Sequence, residues 1–497
     1  MKRMCPRLAL TVVLGVVTLT QATSGLAQAP DTLWTRTYGD RRDSDYAYAV
    51  RQTPNAGYII AGTTKPFGAG DENVYLMRTD SNGDTLWTRS YGGPGDDQGR
   101  SVQRLPGGGY IIGGWTESFD GGYGDFYLIR TDSNGDTLWT RAYGGERTDY
   151  GYCVDQTPDG GYIMGGYASS FGAFDADVYL VRTDSNGDTL WTRTYGGANH
   201  DECQSVRHTL DGGYISAGST SSFGAGGYDV YLVKTDANGD TLWTKAIGGG
   251  SADRGYSVDL TSDGGYIIAG YTGSFGAGAS DIYLVRIDAG GDTLWTRTYG
   301  DSASDVAYSV RQVSGGGYII AGYTDSFGAG SRDVYLLRTD ALGNVLWTHT
   351  FGGIKADHGR SVETTGDNGY IVAGDIGHPS TLRADVYLIR IGPDCSGIRT
   401  EDPGGAGRLA HRVCPNPFTD RVRIDYRLHH NRASRLVIYN ATGREIRALT
   451  VGDRGEATHC VTWDGKDESG RLVPSGVYFL RCEAGGDPGT AKVILIR

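Results

Sequence analysis

Seven aspartates recur at one position along this 497-residue chain: Asp45, Asp97, Asp149, Asp201, Asp253, Asp305 and Asp357. Each follows a Gly-rich turn, and a serine stands four residues on at Ser101, Ser205, Ser257, Ser309 and Ser361, with Ala49 and Cys153 as the exceptions. A carboxylate in a turn can accept backbone N–H groups and fix the strand that follows. If the carboxylates instead ring an open mouth, they would attract a cation or a basic ligand. Repetition favours the structural role, since a function seldom needs seven copies, and the ring stands as a candidate binding surface.

Two further sets of residues could carry chemistry. One position inside a recurrent apolar run changes in kind between copies: Thr63, Trp115, Tyr167, Ser219, Tyr271, Tyr323 and Asp375. Trp115, Tyr167, Tyr271 and Tyr323 could stack on sugar rings if their face is open, although packing between repeats is the commoner use of such rings. The DSNGD segments at Asp80, Asp132 and Asp184 place oxygens at alternate positions, like the start of a calcium loop. Gly290 and Leu342 break that pattern while the turn glycine persists, so the segments read as hairpins rather than as a metal site. No cofactor or metal is expected, with calcium the one candidate.

An enzyme needs one constellation, so catalysis would have to break the repetition. The seventh copy does so most, with Asp357, His358, Glu363, Asp375 and His378. No GxSxG, HExxH or phosphate-binding glycine loop occurs. A non-catalytic protein is the expectation; the alternative is a secreted hydrolase or lyase acting on polysaccharide or peptide.

The elements that must position these residues are set by a period. DTLWTRTYGG and its variants place tryptophans at Trp34, Trp87, Trp139, Trp191, Trp243, Trp295 and Trp347, the first step 53 residues and the later ones 52. Within one copy, TLWTKAIG, GYSVDLT, YIIAGYT and IYLVRID are short runs rich in Val, Ile, Tyr, Thr and Trp, separated by Gly and Asp. Such runs predict four antiparallel strands. Seven four-stranded units predict an all-β fold, a seven-bladed β-propeller over 31–391, in preference to an open solenoid. The pattern starts with a TLW strand and ends with an unpartnered VYLIRI strand, so the first strand should pair with the last and leave no open edge.

Residues 1–27 have a basic start, an apolar run from Leu8 to Leu19 and small residues before Gln28, as a secretory signal peptide does. The run is too short to span a bilayer, and no later segment is apolar enough, so the chain is not expected to cross a membrane. Residues 28–397 carry a net charge of -19 and 398–497 carry +4. The acidic repeat region argues against nucleic acid as a partner. Cys153 and Cys203 lie in neighbouring repeats at nearly equivalent places and form a candidate disulfide.

After a Gly/Pro-rich linker at 392–412, six or seven short strands within 413–497 predict an immunoglobulin-like β-sandwich. Pro415-Asn416-Pro417-Phe418, WDGKDESG from Trp463 to Gly470, PSGVYFL from Pro474 to Leu480 and the final KVILIR resemble the C-terminal sorting domains of the type IX secretion system. They resemble equally the Ig-like domain of the flagellar hook-capping family. The resemblance implies export to the cell surface or beyond, with Pro415, Asn416, Pro417, Trp463, Asp464, Gly465, Gly476, Tyr478 and Lys492 carrying the motif and the export machinery as partner. Arg497 departs from it, since such domains often end in lysine. The expectation is a monomeric secreted or outer-membrane surface protein for binding or adhesion, with a glycan or protein ligand at the propeller.

Overall fold

The repeats fold as blades because their strands alternate one buried face with the next blade's buried face, and the intervening turns are glycine-bearing hairpins. In the computed structural model, residues 29–394 are described apart from 40–42, 66–70, 120–122, 173–174, 315 and 382; toward the C-terminus 410–414, 416, 418, 421–427, 434–451, 458–483 and 490–495 are described. The expected signal peptide, most of the linker, Pro415, Pro417, Cys395 and Arg497 lie outside the described residues. Among the described residues every regular element is a strand.

Seven four-stranded antiparallel sheets form the propeller. Blade 1 runs outward from Asp45–Gln52 through Tyr58–Thr64 and Asn73–Thr79 to Thr85–Tyr91, and blades 2 to 6 repeat this order. Blade 7 takes Asp357–Thr364, Tyr370–Gly377 and Ala384–Ile391 from the end of the array and its outermost strand, Thr32–Tyr38, from the beginning. The register runs antiparallel from Thr32 opposite Ile391 to Tyr38 opposite Val386. The last apolar strand thus gains the partner that its sequence lacked.

The TLWTRTY strand is the outermost of each blade and its residues are largely exposed. Its persistence comes from what it grips. Each tryptophan meets a tyrosine on the second strand of the following blade, as in Trp34–Tyr58 at 5.9 Å, Trp191–Tyr214 at 5.7 Å and Trp347–Tyr370 at 6.0 Å between ring centres. In five copies an arginine two residues on lies over the tryptophan ring, and in four of these it reaches an aspartate of the next blade's outer hairpin, as Arg89 reaches Asp136 at 3.2 Å; Lys245 and His349 stand there in the other two. The strand's tyrosine hydroxyl donates to the turn-glycine carbonyl of that same hairpin: Tyr91 to Gly135 at 2.6 Å, Tyr195 to Gly239 at 2.7 Å. That glycine has φ near +80°, a conformation costly for other residues, which explains its recurrence. Ile247 and Phe351 stand where the hydroxyl would be in blades 4 and 6.

Residues 410–495 form two sheets, one of three strands (Ala410–Cys414, Val422–Arg427, Thr458–Trp463) and one of four (Glu445–Val451, Ser434–Asn440, Gly476–Glu483, Thr490–Leu495). The first strand begins at Ala410, three residues before the expected domain start at 413. Inward residues of both sheets, among them Ile424, Leu436, Ile438, Leu480 and Val493, bury Trp463 and Phe418 between them.

Candidate functional site

The innermost strands line the axis, and a bulge decides which side chains face it. In every blade the pairing with the second strand slips at the fourth residue, between Ala47 and Ala49 in blade 1 and between Gly151 and Cys153 in blade 3. An inserted residue changes the parity of alternation. Residue four and residue seven of the strand therefore both face the channel: Tyr48 and Arg51, Tyr308 and Arg311. The serine between them turns to the next strand round the ring, as Ser361 Oγ accepts the Val50 N–H at 3.3 Å and Ser257 Oγ that of Val310 at 3.3 Å.

The seven aspartates open these strands but do not form an open ring. All are buried, at most 3% exposed. Asp97, Asp149, Asp201, Asp253 and Asp357 each accept the N–H of the residue four before, at 2.7–2.8 Å, and Asp305 does so at 3.1 Å. Serine hydroxyls of the neighbouring loop donate to Asp97, Asp201, Asp253 and Asp305 at 2.6–2.7 Å. A candidate cation-attracting surface is thereby corrected to a set of loop anchors, because buried N–H groups must find acceptors.

A second acidic residue closes on every anchor except Asp97 from the preceding blade. A Cβ on Gly144 would touch both Asp125 and Asp149, and one on Gly352 both Asp333 and Asp357. Burial, reinforced by the Asp333 charge, pushes the Asp357 carboxyl up to about 6. Folding then favours the protonated form, so this group's contribution to stability falls as pH rises from about 4 to about 6. In blade 1 the second position is Asn73, beside Asp97. Asp333→Asn, which keeps an oxygen for the Ala329 N–H at 2.9 Å, should raise the melting temperature at pH 7.5 by about 1–2 °C and leave it nearly unchanged at pH 4.5. Equal shifts at both pH values would refute the carboxylate pairing.

The variable aromatic positions fare differently. Each lies opposite residue two of the innermost strand, at the channel mouth: Trp115 opposite Gln98, Tyr167 opposite Tyr150, Tyr271 opposite Arg254, Tyr323 opposite Val306. Trp115 stacks on Tyr150 of the next blade at 4.4 Å, Tyr150 meets Tyr167 at 5.7 Å, and Tyr167 meets His200 at 5.3 Å. His200 leads to Tyr228 at 6.1 Å, over which Arg254 lies at 3.7 Å while pairing with Glu202 at 2.7 Å. Tyr271 continues through Tyr256 and Tyr308 to Tyr323 and His358, with ring centres 5.2–6.0 Å apart. All four sequence candidates thus join one arc at one mouth. Trp115 and Tyr323 are mostly buried and serve packing; Tyr150, Tyr167, Tyr228 and Tyr271 keep open area. The partners Tyr150, Tyr256, Tyr308 and Arg254 escape the sequence reading because they sit on a different strand, and His200 because it lies in the loop before one.

In blade 7 the structure joins some of the candidate catalytic residues and separates others. His358 Nδ1 and Arg360 Nε meet Asp375 at 2.7 and 2.6 Å, and Arg360 holds the Asp375 carboxyl below its usual range against the effect of burial. His378 lies in an outer loop against Ser380, and Glu363 lies deeper in the channel near Arg51. The DSNGD carboxylates are turn formers: Asp80 Oδ1 accepts the Asn82 and Asp84 N–H groups at 2.8 and 2.9 Å, and Asp340 does the same across Leu342. Among the described residues no group of three or more His, Cys, Asp or Glu side chains is placed to hold a metal. Cys153 and Cys203 approach one another, both close to Gly165, yet both are free thiols. The candidate disulfide is not formed; the thiols donate instead to the carbonyls of Gly165 and Ser205.

In the C-terminal domain the motif residues hold strands together. Asn416 donates to the Lys492 carbonyl at 2.8 Å and accepts the Ile494 N–H at 2.7 Å, so its amide extends the last strand's ladder. Trp463 donates to the Lys466 carbonyl at 2.9 Å, Asp464 pairs with Arg447 at 2.6 Å, and Gly465 turns with φ of 64°. The Tyr478 hydroxyl donates to the Pro474 carbonyl at 2.6 Å, two residues before Gly476 starts its strand, while Lys492 is exposed.

Fold and site together define a seven-bladed propeller followed by an Ig-like module. The family model of the FlgD Ig-like domain matches residues 418–487. The regulatory protein FlaEY of Caulobacter vibrioides is 25% identical over 256 residues, covering 44% of this chain and 26% of that protein, so the match spans about a quarter of that relative. Among solved structures, PorZ, a surface component of the type IX secretion system of Porphyromonas gingivalis, is 15% identical with a TM-score of 0.43, covering 90% of this chain and 59% of that one. The polysaccharide lyase Uly1 is 12% identical with a TM-score of 0.44, covering 72% and 92%. A fungal alcohol oxidase is 11% identical with a TM-score of 0.45, covering 95% and 100%. None of these structural likenesses bears on activity.

Proposed function

We propose that this chain is exported and displayed at the cell surface, where the propeller binds a ligand without chemical conversion and the C-terminal domain serves as a type IX-like sorting signal. The observation that carries the binding reading is the arc: residues that differ from blade to blade are gathered at one mouth, with Tyr150, Tyr167, Tyr228 and Arg254 partly open. Tyrosine faces flanked by a guanidinium suit glycan rings or an aromatic peptide side chain. The sorting reading is supported by the signal-peptide pattern at 1–27 and by the Ig-like match at 418–487. Of the blade 7 residues that catalysis could draw on, His358 and Asp375 meet while His378 and Glu363 lie apart, which supports binding over conversion.

Glycan-array binding by the purified protein, with and without calcium, tests the first part. Tyr167→Ala should weaken any bound glycan at least about fivefold; undiminished binding would remove the arc as the contact surface. For the second part, deleting 413–497 should retain the protein in the periplasm, as read by protease accessibility on intact cells.

A further inference from the structure

The channel below the arc has the opposite charge character from the chain around it. The whole protein carries -12, yet five arginines face the axis, Arg51, Arg100, Arg207, Arg311 and Arg360, against Asp155, Asp259, Glu363 and the Asp375 that Arg360 holds. Elsewhere this protein pairs its buried arginines tightly, as in Arg338–Asp394 at 2.7 Å and Arg390–Asp367 at 2.6 Å. In the lower channel the pairs are loose. Arg51 stands 3.8 Å from Glu363, and Arg207 stands 3.8 Å from Asp155 and 4.0 Å from Asp259. Asp155 and Asp259 already accept the backbone N–H groups of His208 and Gln312 at 3.1 and 3.0 Å. Arg311 donates to the Val310 carbonyl at 2.7 Å, and among the described residues no carboxylate lies within 4.0 Å of it. Above this tier Arg100 lies over Tyr48 at 4.1 Å, and its buried Nε has no hydrogen-bond partner.

We propose that the lower channel is an anion site, taking one carboxylate, sulfate or phosphate group among Arg51, Arg207 and Arg311. A guanidinium does not shed its charge at physiological pH, so a half-buried one without a close carboxylate is costly unless another anion meets it. Burial, followed by the charges of Arg207 and Arg51, lowers Arg311 to about 9, in the direction that a bound anion would reverse. Guanidinium groups present forked donors that match the oxygens of these anions. The space is about 90 Å³, walled by Tyr48, Tyr152 and Tyr308, which admits a small oxyanion or the charged end of a longer ligand but not a polymer threaded through. The site shares no side chain with the aromatic arc's open tyrosines, so either can fail without the other.

Calorimetric titration of the full chain with inorganic phosphate, inorganic sulfate and glucuronate tests this, with sodium chloride as the control anion. At least one probe should bind with a dissociation constant below about 10 mM. A response to the inorganic ions points to a free oxyanion, and one confined to glucuronate to the acidic end of a saccharide. Arg311→Gln should weaken binding roughly tenfold, and Arg311→Lys less. Glu363→Gln, which removes the competing carboxylate, should strengthen it by a similar factor and serves if the arginine variants fail to fold. Silence from all three probes, affinity indifferent to Arg311, or affinity unchanged or weakened in Glu363→Gln would each overturn the site.

Discussion

Removing Asp31–Tyr38 should destabilise the propeller by about 5 kcal/mol and lower its melting temperature by roughly 10 °C. The segment supplies the outermost strand of blade 7, paired from Thr32 with Ile391 to Tyr38 with Val386. It also supplies one full grip on the next blade, since Trp34 meets Tyr58, Arg36 lies over Trp34 and the Tyr38 hydroxyl donates to the Gly83 carbonyl. Without it the eight-residue strand Ala384–Ile391 becomes a free edge and invites pairing between chains. Calorimetry at two protein concentrations reads both effects. An unchanged melt would mean that the ring closes by some other contact.

Trp463→Ala should cost about 3–5 kcal/mol and unfold the C-terminal domain selectively. The indole is fully buried between the sheets, with ring centres 5.4 Å from Phe418 and 5.1 Å from Tyr478, and its Nε1 holds the Lys466 carbonyl. A domain of this size has little stability in reserve. Hydrogen exchange on the full chain should show lost protection in 458–483 and unchanged protection in 45–391; protection retained in both would contradict the core assignment. If the sorting reading holds, the variant also stays in the periplasm.

The architecture is legible in the sequence because the turns state it. Gly83 and its counterparts mark each outer hairpin, and the unmatched TLW and VYLIRI ends call for one another across the ring. What the anchoring aspartates do is legible only in part, since the sequence places a carboxylate after a turn without saying whether its oxygens face N–H groups or water. Asp201 shows the answer, with the Gly197 amide and the Ser222 hydroxyl on the same oxygen. The channel is not legible, for a definite reason. Period-two reading assigns Arg51 and Arg311 to the opposite face from Tyr48 and Tyr308, and the bulge at residue four brings them to the same side. Likewise the arc couples Trp115 to Tyr150, on strands of different blades that no local pattern relates.

The grip of each outermost strand on its successor has a consequence for how such a ring grows. Where tryptophan, arginine and tyrosine in one copy meet tyrosine, aspartate and glycine in the next, as from blade 1 to blade 2 and from blade 3 to blade 4, excising or duplicating 52 residues would regenerate the same seam. The seam between blades, not the blade alone, is therefore the unit that repeats around the ring. Ile247 and Phe351 lack the hydroxyl, so those two junctions are held by fewer contacts than the rest.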